Sequence, residues 1–146
     1  MPNILLEKDQ FWFQSPLFEI EPGEDADTNP QCYGRALANW LATAIRSEGV
    51  DVDEVFPEDW GWCIMVKRKP FLLWIGCGNV GDNKKNNSGT LPRGEDVVWT
   101  CIAVAEVPLF RRLFGAPDTA PELSALYSQV KRIVAEARGT IFVDEP

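Results

Sequence analysis

Histidine is absent from the chain. With it go the commonest general base and the commonest metal ligand, so Ser-His-Asp, Cys-His and histidine-zinc chemistry are excluded. Cysteine is sparse. Cys32, Cys63, Cys77 and Cys101 stand 31, 14 and 24 positions apart, without the close pairs of zinc ribbons or thioredoxin-like sites. Their apolar neighbours mark them as small buried hydrophobes of a reducing compartment. A hairpin would bring Cys63 and Cys77 face to face, which leaves a disulfide open under oxidising conditions without making it the favoured reading. No apolar run approaches the roughly 18 residues of a membrane span. The start, Met1 to Asp9, has acids behind a short apolar patch and lacks the basic-then-apolar order of a secretory signal. A cytoplasmic location is expected, with no membrane partner.

Positive charge is also scarce where the chain begins. Residues 1–66 carry 13 of the 22 acids and only three bases (Lys8, Arg35, Arg46), so the net charge of −8 arises entirely there. Two clusters hold half of the acids: Glu19, Glu21, Glu24, Asp25 and Asp27, then Glu48, Asp51, Asp53, Glu54, Glu58 and Asp59. Such asymmetry bears on partners and solubility rather than on fold. A pI near 4.5 opposes approach to phosphates, so no nucleic-acid partner is expected. The basic run Lys67-Arg68-Lys69 and the scattered Lys84, Lys85 and Arg93 read as solubilising turn and loop residues, or as internal partners for the acidic half.

At 146 residues, 45% hydrophobic and with six tryptophans, the chain has the makeup of one globular domain. It can bury roughly 70% of its unfolded surface without a metal or disulfide staple. Residues 1–15 read as an N-terminal aromatic arm (Phe11-Trp12-Phe13). Alternation over Leu17–Glu21 then predicts an edge strand. A helix is predicted from a cap at Thr28 or Asn29, with Pro30 first and Gly49 after its end; its apolar stripe is Tyr33, Leu37, Trp40, Leu41, Ala44 and Ile45. Strands are predicted over 50–56, 58–66, 71–77 and 97–107. The last two are nearly continuous in apolar residues and so should have both faces covered. One helix covers one face; the other face needs the second helix, the aromatic arm or another protein. A helical turn over 108–115, a helix over 121–138 and a short apolar tail at 141–143 complete the chain. The expected fold is an α+β domain, an antiparallel sheet of four to five strands with two main helices packed on it, in the order β-α-β-β-β-α.

Gly76-Cys77-Gly78-Asn79-Val80-Gly81 has the spacing of a dinucleotide fingerprint after a predicted strand. The following residues, however, open a polar Gly/Asn-rich loop over about 78–96, not the helix that would hold a pyrophosphate. No cofactor is expected. Glu58 and Asp59 beside Trp60 and Trp62 have the composition of an acid-base site, and Asp51 and Asp53 would share a strand face as a hard-metal pair. No surrounding pattern supports either, and neither catalysis nor a metal is expected. The same residues suit an interface, with large rigid rings for area and carboxylates for register. The leading expectation is therefore a small acidic protein-binding module, an inhibitor or immunity-type neutraliser of a basic protein, acting through Asp51, Asp53, Glu54, Glu58, Asp59 and Trp60. A first alternative is a small-ligand binder or enzyme using the 76–96 loop as a lid, with Cys77, Asn79 and Asp82 near the ligand. A second is the structural subunit of a homo-oligomer.

Overall fold

The apolar run after residue 97 becomes the hub of the sheet. In a computed structural model, which describes residues 4–80 and 91–146, β5 (Val98–Pro108) pairs along its length with β4 (Leu72–Val80) on one side and β1 (Ile4–Gln14) on the other. β3 (Gly61–Lys67) and β2 (Glu54–Glu58) extend the sheet beyond β4, and β6 (Ile141–Val143) closes the edge beyond β1. All pairs are antiparallel, in the order β2-β3-β4-β5-β1-β6. The fold is thus the α+β architecture read from the sequence, with six strands instead of four to five.

The extra central strand is the aromatic arm. Phe11 and Phe13 point to the core while Gln10 and Trp12 point away, the two-residue alternation of a strand. The neighbouring Glu7-Lys8-Asp9, exposed throughout, hides that alternation at the sequence level. Residues 17–21 do not form the edge strand their alternation predicts. They run irregularly after a turn, and Phe18 and Ile20 are buried without a strand ladder. Phe18 meets Phe13, Trp40 and Trp99 edge-on, a geometry that favours aromatic pairs beyond area alone.

α1 (Arg35–Ser47) starts five residues later than Pro30 suggests. Thr28 spends its hydroxyl on the Cys32 carbonyl at 2.6 Å and does not cap the helix. Gly34 holds the N-cap position in a left-handed conformation, φ +145°. The predicted strand at 50–56 likewise shifts to β2, where Pro57 is tolerated because β2 is an edge. A short helix α2 (Leu109–Arg112) follows β5 and leaves Phe110, Leu113 and Phe114 exposed. α3 (Ala120–Glu136) buries Leu123, Leu126, Val130, Ile133 and Val134.

Both long helices lie on the same face of the sheet. α1 packs on β3 and β4, α3 on β5 and β1, and the two touch each other. They enclose one core cluster that includes Phe13, Leu41, Ile75, Trp99 and Val130. Glu48 at the end of α1 ties the helices together: it accepts hydrogen bonds from Gln129 and Arg132, which hold its carboxyl below the usual range. Neither the second helix nor the aromatic arm, itself a strand of the sheet, therefore supplies the second cover expected for β4 and β5. Among the described residues no long helix packs on the second face, where Cys63, Met65 and Val104 are buried outside the core cluster.

Candidate functional site: the open face of the sheet

Strand register builds this face row by row. Phe56, Cys63, Gly76, Ile102 and Gln10 line up across five strands. The next row holds Glu54, Met65, Trp74, Val104 and Lys8, and a third brings Leu72 and Glu106 opposite each other. Phe56, Leu72, Trp74 and Ile102 are only half-buried there. This is the second face's own apolar content, and it makes the runs 71–77 and 97–107 read as doubly covered.

Trp60 lies over this surface. It leaves the β2–β3 turn and stacks on Trp74, with ring centroids 5.6 Å apart and planes 27° from parallel. Two glycines make room for it. A Cβ on Gly76 would come within 2.9 Å of the far edge of the Trp60 indole. Gly61, at φ +154°, lets the turn approach β4 so closely that a Cβ would stand 2.4 Å from the Cys77 carbonyl oxygen. Trp74 is fixed in turn, because its indole N–H donates to Glu106 Oε1 at 2.9 Å. The result is a groove of about 390 Å³ lined by Phe56, Glu58, Trp60, Cys63, Met65, Arg68, Leu72, Trp74 and Glu106. Trp60 remains 44% exposed in it.

The groove is electrostatically negative. Burial, with Glu58 and Glu106 acting in the same direction against the opposing Arg68, raises the Cys63 thiol pKa to about 12. Arg68 is itself engaged at the rim, donating to Asp53 at 2.5 Å and to Glu54 at 3.0 Å. Among the described residues, Glu58, Asp59 and Glu106 have no basic partner.

The structure separates the residues singled out from sequence. Glu58, Asp59 and Trp60 sit together at the groove, whereas Asp53 and Glu54 are bound by Arg68. Asp51 is exposed in a second depression beside Arg46 and Lys69, and Asp51 and Asp53 both precede β2, so they share no strand face. The chain just after the first acidic cluster meets the second at one point, where the Asn29 N–H donates to the Asp59 carbonyl at 3.2 Å. Cys77, read as a candidate ligand residue, is wholly buried on the helix face opposite Cys101. Alternation sends Cys63 to the other face, so the two cannot form the disulfide left open above. Asn79 pins the chain: its Oδ1 accepts from the Tyr33 N–H at 2.9 Å and its Nδ2 donates to the Gln31 carbonyl at 3.1 Å. Asp82 and Gly81 lie outside the described residues, and Gly76–Val80 belong to β4 itself. Among the described residues, no group of three or more cysteine or acidic side chains is arranged to hold a metal ion.

Sequence reasoning did not single out Glu106, Phe56 and Gly76 as members of the site. One signal was available: Glu106 is the lone charge in an otherwise apolar central strand. A buried or half-buried charge in such a position calls for a partner. Comparison of the chain with protein-family models, with curated proteins and with solved structures found no match.

Thiol accessibility gives a direct check of this geometry. Cys63, Cys77 and Cys101 are buried; burial holds the Cys63 thiol above its ordinary pKa, and a hydrogen bond with Cys101 together with burial does the same for Cys77, so both stay protonated through neutral pH. Titration of the native protein with a chromogenic disulfide near pH 8 should therefore count about one thiol, Cys32, and all four after denaturation. Rapid reaction of two or more native thiols would contradict the burial of Cys63 beneath the groove.

Proposed function

We propose that this chain is a protein-binding module for a basic protein, docking through the open face of its sheet and acting as an inhibitor or immunity-type neutraliser. The observation that carries this reading is the Trp60–Trp74 stack beside Glu58 and Glu106 on a sheet face that, among the described residues, no long helix covers. A rigid pair of indoles surrounded by carboxylates has the composition of an interface hot spot, where aromatic anchors supply energy and charge supplies specificity and on-rate. The net charge of −8 favours a cationic partner. It also disfavours a second copy of the chain, since two copies would bring like charge together.

The test is capture of a basic protein from the native host followed by titration with variants. Trp60→Ala combined with Glu58→Lys should weaken the captured partner's binding about a hundredfold, the effect of a hot spot worth roughly 3 kcal/mol. Glu145→Lys, beyond β6 at the far edge of the sheet, should leave the affinity within about twofold. The wild-type chain should suppress the partner's own activity at stoichiometric ratio. Affinity unchanged by the double variant would sink the open-face reading, and a bound partner that keeps full activity would sink the neutraliser role.

A further inference from the structure

Every large side chain of the groove has a defined position, and the carboxylates among them are incompletely used. Glu106 gives one oxygen to the Trp74 indole, and its second oxygen makes no hydrogen bond among the described residues. Glu58 lines the same groove and is exposed. The floor is apolar, formed by Cys63 and Met65. A volume of about 390 Å³ lies at the small end of the roughly 300–1,000 Å³ typical of ligand pockets, which suits one long side chain rather than a cofactor.

We propose that this groove seats a guanidinium, the side chain of one arginine from the basic partner, stacked on Trp60 and bridged by Glu58 and Glu106. The assignment rests on the reading of the chain as a binder of a basic protein and names the group it grips.

Three features favour arginine over lysine. A guanidinium is planar and weakly hydrated, so it stacks on an indole face where an ammonium stays hydrated. Its fork of donors can serve two carboxylates at once. The protein already uses that chemistry next door, where Arg68 bridges Asp53 and Glu54 through Nε and Nη2. That pair also keeps Arg68 occupied at the rim. Glu58 and Glu106 both act on the Cys63 thiol at the groove floor, raising its pKa against the opposing Arg68.

The site is preformed. Trp60 needs no movement to present its ring, because it is stacked on Trp74 in the space that Gly61 and Gly76 leave open, and preorganisation lowers the entropic cost of binding. A single arginine should bind weakly by itself and contribute strongly as one anchor of an interface.

The experiment titrates ¹⁵N-labelled protein with N-acetyl-arginine methylamide and follows the indole N–H resonances. Only the Trp60 and Trp74 signals should move along a saturating curve, with Kd on the order of millimolar. The lysine counterpart should bind several-fold more weakly, and the neutral citrulline counterpart should leave both signals in place. Glu106→Gln should weaken the arginine probe about five- to tenfold. Gly76→Ala, which displaces the Trp60 ring, should abolish the response; Glu106→Gln keeps the test decisive where the glycine variant fails to fold. Equal shifts with citrulline or lysine, or an unchanged response in Glu106→Gln, would overturn the guanidinium assignment. An absent arginine response together with partner binding that still depends on Trp60 would overturn this inference alone. An arginine response without that dependence would overturn the protein-binding reading alone.

Discussion

Replacing Glu24 by alanine is expected to cost about 3 kcal/mol of stability, close to the upper end for hydrogen bonds to a charged group. Glu24 is 3% exposed and works in both directions. Oε1 accepts the Glu21 N–H at 2.9 Å, while Oε2 faces the Gly34 and Arg35 N–H groups at 3.5 and 3.3 Å. The first turn of α1 is thus capped by a carboxylate from ten residues upstream, where negative charge is favoured by the helix dipole. No local side chain can replace it. A Cβ at Gly34 would stand 2.8 Å from the Cys77 carbonyl oxygen, so the usual capping residues are excluded at that position. Alanine would leave three backbone donors without their acceptor. The urea midpoint should fall with an unchanged slope, and Tm should drop by about 6–12 °C. Glu24→Gln, which keeps one acceptor oxygen, should lose about half as much. A loss below about 1 kcal/mol for alanine would show that the carboxylate is not the cap that holds α1.

Gly94→Ala should be at least as damaging, at about 3 kcal/mol or more. Its Cβ would be built 1.8 Å from the carbonyl oxygen of Phe18, a contact with backbone that no rotamer relieves. The Gly94 carbonyl also accepts the Trp99 indole N–H at 3.3 Å. One methyl group would therefore separate the segment carrying Phe18 from the ring cluster of Phe13, Trp40 and Trp99. Overpacking typically costs 1–3 kcal/mol, and more where the neighbour is main chain. Equilibrium denaturation should report the loss, and near-ultraviolet circular dichroism should lose the fixed environment of Trp99. A native signal with stability within 1 kcal/mol would contradict this close packing.

These two sites also explain which parts of the fold were legible. The helix body was plain in Leu37, Leu41 and Ile45, but its start was not, because the capping group is distant in sequence and Gly34 carries no propensity signal. Alternation marked Leu17–Glu21 as a strand; Phe18 and Ile20 are indeed buried, yet Phe18 is held by aromatic edges and by Gly94, not by a ladder. The runs at 71–77 and 97–107 identified central strands correctly. They could not tell an apolar face covered by a helix from one left for Trp60. At the site, Glu58, Asp59 and Trp60 were visible as a local cluster. Glu106 and Gly76 enter only through strand register, which joins residues tens of positions apart. The adjacent acids Asp53 and Glu54 looked equivalent to Glu58 until Arg68 was seen to bridge them.

The position of β1 has a consequence for how the chain is made. It lies inside the sheet, yet its partner β5 is far downstream: Gln10 bonds Thr100, 90 residues later. At ribosomal speeds of about 5–20 residues per second, β1 waits roughly 5–20 s for that partner. Phe11, Trp12 and Phe13 are without their native strand partners for that interval, and β6 seals the strand's other side only when the last helix is complete. A topology dominated by such distant pairings folds slowly. The first strand of this sheet to be synthesised is among the last to be secured, so its aromatic segment stays exposed on the nascent chain until β5 arrives.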